Sequence, residues 1–391
     1  MIRAYKYKLK PTVKQQKLFS QAFGNARFIY NWGLNRKKET WENEHKNVTY
    51  LQLSKELTLL KKDGEHDWLK QCANVCLQQS LRNLDNAYTR FFKAKKGFPK
   101  FKSKKNSVDS VKYIAAVHFD FETMRVSVPC IGKVKFLKNR EFDVNAVKLG
   151  TLKLGTLTVT KDKCGDYWCT IVVDDNKPNV SKTKICEEKI VGIDLGIKDY
   201  AILSDGTKYG NPKYLEAKQQ QLTKAQQWLS RTQKNSKRHE KAKLYVAKLH
   251  RKIANRRNDF LHKLTTMLIN SEYDTFCMEN LNITGMTQNH NLAKSINSVA
   301  WNEFVRQLTY KCEWCGKNIV FIGRYEPSSK TCNKCGYVNK ELKLSDREWI
   351  CPICGEHHDR DINAAINIKN MGLHPQALIG IEQKIEEINN K

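Results

Sequence analysis

Residues 331–363 read TCNKCGYVNKELKLSDREWICPICGEHHDRDIN, and two Cys-x-x-Cys pairs dominate the stretch. Cys332/Cys335 and Cys351/Cys354 are each followed by a glycine, Gly336 and Gly355, with fifteen residues between the pairs. A turn of this kind sets two thiolates on one side of the backbone, and two turns complete a tetrahedron with Zn–S distances of ~2.3 Å. The spacing predicts a zinc ribbon over 327–357 holding one Zn2+; the alternative is that His357 or His358 stands in for one cysteine. Four thiolates leave no open coordination position, so the ion is expected to fold the segment, contributing ~10 kcal/mol or more, and not to catalyse. Directly after the second pair come Asp359 and Asp361, at the start of the helical pattern DINAAINIKNMG. A metal clamp set against acids is the feature to explain.

Two further acids stand upstream at the edges of apolar runs. KIVGIDLGIKDYAILSDGTKYG (189–210) reads as two strands joined at Gly196 and closed by an Asp205-Gly206 turn, with Asp194 inside the apolar segment. A buried ionised carboxylate is costly unless a guanidinium or a metal ion compensates it. SEYDTFCMENLNI repeats the situation, a strand ending in Glu279. Convergent carboxylates in a basic protein are what two-metal phosphodiester cleavage requires, with two Mg2+ ions held ~4 Å apart. Gly196 would let a phosphate backbone come close. Each acid taken alone reads equally well as a helix cap or a surface ion pair.

The composition supports an anionic partner. Across 391 residues, 69 Lys and Arg stand against 40 Asp and Glu, a formal net charge of +29, which attracts polyanions with an affinity that falls as salt rises. The length suits two to three domains. No run approaches ~18 apolar residues, and the basic N-terminus lacks the apolar centre of a signal peptide, so the expectation is a cytoplasmic protein with no membrane partner. Thirteen cysteines, several in apolar settings such as Cys169 and Cys277, fit a reducing compartment. Cys312 and Cys315 form a third Cys-x-x-Cys, but within a helical pattern and without a second pair, so they read as ordinary core or surface residues. Residues 213–269 predict an antiparallel helical hairpin turning at Lys234-Asn235-Ser236, and from Lys234 to Arg257 ten basic residues face the single acid Glu240. That imbalance points to phosphate contact by Arg251, Lys252, Arg256 and Arg257 rather than to ion-pair lacing.

The N-terminal half reads as a strand with one basic face (RAYKYKLKP), helical patterns to about residue 96, and short β runs over about 100–175 that pair with the first strand. Thr12 with Gln15 forms a capping box for the first helix. GFPKFKSKKNS marks the change of pattern and carries Lys100 and Lys102 among aromatic residues.

GIDLGIKDYAILSDG, MENLNI, EPSSKTCNKCG, CPICGEHHDRDINAAINI and the N-terminal ARFIYNWGL together resemble the TnpB family of transposon-encoded RNA-guided DNA endonucleases, relatives of the type V CRISPR effectors. The likeness runs from about residue 2 to 372. It implies an α+β multidomain chain. A WED-like β-barrel (1–12 and 97–180) carries an inserted REC-like helical domain (13–96). A RuvC-like nuclease domain of RNase H type follows (187–326 and 358–372), with the hairpin and the zinc ribbon inserted and a flexible tail over 373–391. It implies Asp194, Glu279 and Asp361 as the three catalytic, Mg2+-binding acids, Asp361 being favoured over Asp359 by the x-N-A-A that follows it. It further implies a guide RNA derived from the transposon end, a double-stranded DNA target and a monomer with its RNA. A short motif beside the target would be read by Tyr50, Ser54, Asn74 and Gln78. On this reading the ribbon supplies rigidity before the third acid and lies over the cleft as a lid. The rival readings are an RNase H-fold transposase or resolvase, and a non-catalytic RNA-binding regulator of transposition.

Overall fold

The computed structural model describes residues 1–373 except 95, 96, 106, 115, 116, 177, 179, 289, 324, 325 and 344. Apart from Leu373, the expected flexible tail lies outside the described residues. The chain divides into two compact units, Met1–Pro178 and Asn179–Lys391.

In the first unit, β1 (Ile2–Lys10) buries Tyr7 and Leu9 while Lys6, Lys8 and Lys10 alternate to the other side, the period-2 pattern of a strand with one wet face. Thr12 then opens α1 (Val13–Glu44). Its hydroxyl accepts from the Gln15 amide, and the Gln15 side chain accepts from the Thr12 amide, so the capping box forms as expected. α1 runs unbroken for 32 residues, joining two helical patterns that read as separate in the sequence. α2 (Tyr50–Leu60) and α3 (Asn74–Ala94) follow. The strands are β2 (Asp109–Tyr113), β3 (His118–Asp120), β4 (Arg125–Val128) and β5 (Gly132–Leu137), then, after the short α4 (Val144–Lys148), β6 (Lys153–Lys161) and β7 (Tyr167–Asp174). They form an antiparallel sheet ordered β2-β6-β7-β1-β5-β4-β3. Among the described residues no ladder joins β2 to β3, so the expected barrel is an open half-barrel. A three-residue β3 offers too few backbone groups to close it. Helices and sheet share one core, where Phe19 and Phe23 of α1 lie against Tyr167 of β7.

The second unit is built on a five-stranded sheet. β8 (Ile190–Leu195), β9 (Asp199–Leu203) and β10 (Lys208–Gly210) form an antiparallel meander. After a tight turn with Asn235 in the left-handed region, α5 (Gln219–Ser230) packs on α6 (Lys237–Ile269) through Leu222, Ala225, Leu249 and Ile253, giving the expected hairpin. The chain then lays β11 (Thr275–Glu279) parallel to β8. α7 (Ile283–Met286), α8 (His290–Val299) and α9 (Trp301–Cys315) lead to β12 (Asn318–Ile322), parallel to β11. β13 (Glu348–Ile350) and β14 (His357–Asp359) pair within the cysteine-rich segment, and α10 (Arg360–Gly372) follows directly. The sheet order β10-β9-β8-β11-β12 puts β8 at the centre.

Both faces of that sheet are covered, which explains the near-continuous apolar runs of its strands. Val191 and Ile193 of β8 join Phe276, Met278, Leu264 and Phe304 on one side, and Ile190 joins Cys277, Val320 and Ile368 of α10 on the other. The α10 side permits no side chain at one point. A Cβ on Gly192 would lie 2.0 Å from the Ala365 carbonyl oxygen and 2.7 Å from the Lys369 nitrogen, so α10 rests on the backbone of β8 itself. Cys169 and Cys277 are fully buried core residues, and Cys312 is buried in α9 while Cys315 is exposed, as the sequence suggests.

Candidate active site and thiol cluster

The geometry of the sheet brings two of the predicted acids to one place. Met278 pairs in register with Ile193 on the parallel strand, so Glu279 and Asp194, one residue further on, stand side by side near the ends of neighbouring strands. Clefts outside the carboxyl ends of parallel strands, where the connections reverse direction, are the usual binding sites of open α/β sheets. Asp194 lies on the same side of β8 as Gly192, two residues earlier, which is the side covered by α10. The third acid, Asp361, sits in the first turn of α10. The three side chains act on one another. Burial first, then the charges of Glu279 and Asp361, push the Asp194 carboxyl up to about 7, and Arg360 pulls the other way.

Asp359 and Asp361 part company here. The Asp359 carboxylate caps α10, accepting from the amides of Asp361 and Ile362, and pairs with Lys208 Nζ at 2.6 Å. Its bonds hold the carboxyl below the usual range despite partial burial. Asp361 instead faces Arg347, whose Nη1 lies 3.2 and 3.3 Å from its two oxygens. Glu279 accepts a hydrogen bond from the hydroxyl of Ser328, which is 2 % exposed.

The four thiols form the tighter group. The sulfurs of Cys332, Cys335, Cys351 and Cys354 all lie within 4.8 Å of one another, and no other His, Cys, Asp or Glu group among the described residues reaches that spacing. The carboxylates therefore share a face without closing to single-ion spacing. His358 stands beside the four-thiol group: its Nε2 lies 3.1 Å from Cys332 Sγ, and its ring packs on Trp349 with centroids 4.7 Å apart. His357 pairs with Glu348 at the surface.

What the sequence left unread is the joint between ribbon and helix. Asn363 and Asn367, one turn apart on α10 and almost fully buried, grip the segment that enters the first thiol turn. Asn363 Nδ2 donates to the Thr331 carbonyl at 2.8 Å, while its Oδ1 accepts from the Asn333 amide at 3.0 Å. Asn367 Nδ2 donates to the carbonyls of Ser328 and Thr331 at 2.8 and 2.6 Å. Two asparagines at i and i+4 on the face of α10 that also carries Ala364 and Ile368 were the available signal.

The donor sets fit different ions. Four thiols suit a soft tetrahedral ion such as zinc, whereas an all-oxygen set whose buried member resists ionisation suits a hard divalent cation.

The predicted nucleic-acid contacts divide. Tyr50 and Ser54 on α2 lie between two cross-links to α3. Arg82 Nε donates to the Tyr50 hydroxyl at 3.2 Å, and Lys61 Nζ donates to Asn74 Oδ1 at 3.1 Å. α2 and α3 therefore run antiparallel, and Tyr50, Ser54, Asn74 and Gln78 line one strip that also carries Arg82 and Lys61. Lys100 is exposed, but Lys102 turns inward, its ammonium 3.7 Å over the Tyr30 ring, and burial lowers its pKa. On α6, Lys252 and Arg256 are exposed and Arg251 partly so, whereas Arg257 Nη1 donates to the carbonyls of Asn297 and Ser298 at 3.1 and 3.3 Å. Lys102 and Arg257 both make contacts inside their own units, Lys102 over an aromatic ring and Arg257 to two backbone carbonyls. Gly196 is also fixed internally: a Cβ would sit 2.5 Å from the Asp199 carbonyl oxygen, so the β8–β9 turn accounts for it without a phosphate.

Known proteins are similar to this chain in sequence and in fold. A Streptomyces pristinaespiralis protein named for RNA-guided DNA endonuclease activity is 37 % identical over 376 residues, covering 96 % of this chain and 90 % of the relative. The chain belongs to the TnpB family. The similarly named InsQ of Escherichia coli is 31 % identical over 95 % of this TnpB chain and 92 % of its own length. A family profile described as "Probable transposase" matches residues 170–290, and one described as a Cas12f1-like TNB domain matches 301–368. A third, described as a helix-turn-helix domain, matches residues 1–46, where this TnpB chain has β1 and the single helix α1. The fold is that of the protein in the Cas12f1-sgRNA-target DNA complex, with a TM-score of 0.57 at 13 % identity, over 96 % of this chain and 99 % of that one.

Proposed function

We propose that this TnpB-family chain is an RNA-guided DNA endonuclease, that its second unit is a RuvC-like nuclease, and that Asp194, Glu279 and Asp361 are its catalytic acids. The observation that carries the site is the convergence of Asp194 and Glu279 near the ends of neighbouring strands with Asp361 at the start of α10, where burial first and then the other two acids make Asp194 resist ionisation. In this reading the acids hold Mg2+, two ions as is usual for such centres, which when bound supply charge neutralisation to the attacking and leaving oxygens of a phosphodiester. Asp194 must lose its proton for this, so the buried carboxyl and the cation are linked. The four cysteines hold one structural Zn2+. Through Asn363 and Asn367 the ribbon is fastened to α10, the helix that presents Asp361, so rigidity in the one fixes the other. That fastening answers why a thiol clamp stands beside acids.

The partners are a guide RNA from the transposon end and a complementary duplex, bound by a cytoplasmic monomer. The strip on α2 and α3 reads the motif beside the target, while base pairing reads the sequence. No described helix is long and apolar enough to cross a membrane.

The test is cleavage by the purified protein loaded with its guide RNA. Cutting of matched DNA should vanish in Asp194→Ala while guide-RNA binding stays as in the wild type. If RNA binding is lost as well, the acid has a different role. Cutting of unmatched DNA that persists after RNase treatment favours the transposase or resolvase reading.

A further inference from the structure

We infer that Ser328 is a positioning residue for Glu279, so that the segment entering the ribbon sets the second acid as well as the third. The inference rests on the reading of Glu279 as a cation-binding carboxylate. Glu279 ends its strand, and its carboxylate accepts a hydrogen bond from the Ser328 hydroxyl. Ser328 is 2 % exposed, and its backbone is fixed on both sides: its amide donates to Glu326 and its carbonyl accepts from Asn367 of α10. Thr331, three residues on, is held by Asn363 and Asn367, and Cys332 follows. One continuous set of bonds therefore runs from the thiol cluster through residues 328–333 to Glu279 on one side and to α10, with Asp361, on the other. A carboxylate with one oxygen tied to a buried hydroxyl loses rotational freedom about its last torsion, and its second oxygen is presented in one direction. Hydrogen bonding by an outer group is what orients carboxylate ligands toward metals in general.

The experiment is Mn2+ binding to the guide-RNA-loaded, zinc-containing protein, followed by isothermal titration and by the Mn2+ signal in electron paramagnetic resonance, with cleavage against Mn2+ concentration alongside. Ser328→Ala should weaken Mn2+ binding on the order of ten-fold, the effect of one hydrogen bond to a charged group, and raise the half-saturating Mn2+ for cleavage by the same factor. The rate at saturating Mn2+ should change less. Ser328→Thr, which keeps the hydroxyl, should restore most of the affinity. Zinc content and melting temperature should stay near wild type in both, because the backbone bonds of residue 328 remain. Wild-type Mn2+ affinity in Ser328→Ala overturns the inference, as does a Thr variant no better than Ala. A wild-type protein that binds Mn2+ at the acids but cuts nothing would overturn the nuclease reading and leave this one standing.

Discussion

The thiol cluster and the carboxylate face, two candidate ligand sets, lie less than one helix apart in sequence at their nearest point and are built by opposite means. The thiols come from one continuous stretch of 23 residues, Cys332 to Cys354; two local turns bring their sulfurs within 4.8 Å, and almost no apolar core is needed to do it. The carboxylates come from β8, β11 and α10, spread over Asp194 to Asp361. A central strand, a parallel neighbour and a helix resting on a glycine bring them to one face, and they stand further apart than the sulfurs. On the proposed reading the first set depends on the metal, since the ribbon has only a small core around Leu342 and Trp349 to fold it otherwise. The second is made by the protein, before any cation arrives, and the protein tolerates the charge that results.

Removing zinc breaks the comparison most severely. Cys351→Ser, or prolonged chelation, should take zinc from one per chain to none and forfeit a binding contribution of ~10 kcal/mol to the ribbon. The stretch 327–357 should then become protease-sensitive. Cleavage should fall to background through loss of the Asn363 and Asn367 anchorage, with the first unit still resistant. Limited proteolysis with zinc analysis checks this. A ribbon that stays protected without zinc would mean the thiol turns fold by themselves.

Next is the charge held on the carboxylate face. Burial, then the charges of Glu279 and Asp361, push the Asp194 carboxyl up to about 7, well above the ordinary carboxylate range. An acid whose pKa is raised by folding binds its proton more tightly in the folded state. Stability from this group is therefore complete below about pH 4 and is lost as pH rises through about 7, a few kcal/mol at most. In cation-free buffer, Asp194→Asn should flatten this part of the stability-against-pH curve between pH 4 and 7. Added Mg2+ should restore wild-type stability at pH 7.5, since it binds the ionised form. Chemical denaturation across pH, with and without Mg2+, measures both effects. An unchanged slope in the variant would place the proton elsewhere.

The same contrast explains what could be read from the chain beforehand. The thiol turns, the Thr12 capping box and the helical hairpin were legible because each depends on residues a few positions apart. The strands carrying Asp194 and Glu279 were legible as apolar runs, but their parallel register was not, since nothing local encodes which strand lies beside which. Resemblance to a family, more than spacing, singled out Asp361 over Asp359; in the fold the difference is that Asp359 is taken up by the helix cap and Lys208. The merging of two helical patterns into α1 was missed because packing against a shared core decides it, and the opening of the barrel because nothing local shows that β3 is too short to close it. Charge counting also gave no sign that Lys102 and Arg257 turn toward partners in their own units, since a basic residue in a basic run does not show which way it points.

Gly192→Ala sharpens the comparison from the side of the protein scaffold. The added methyl group would meet the Ala365 carbonyl, so α10 must shift off β8. Overpacking of this kind typically costs ~1–3 kcal/mol. Cleavage should drop while zinc content stays at one per chain, because the thiol turns lie outside the contact. Denaturant midpoints and metal analysis on the same sample separate the two effects.

The smallest effect tests the basic face of α6. Lys252→Gln with Arg256→Gln removes two exposed charges. If both meet phosphates, the slope of log affinity against log salt should shallow by about 2 for a duplex, with stability unchanged. Arg257→Gln should do the reverse. Its guanidinium holds the carbonyls of Asn297 and Ser298 at the end of α8, so its loss should cost ~1–3 kcal/mol of stability and leave the salt slope alone. Two neighbouring arginines, Arg256 and Arg257, then give opposite readouts, and a slope that responds to Arg257 but not to Arg256 would reverse the assignment of which side of α6 meets the nucleic acid.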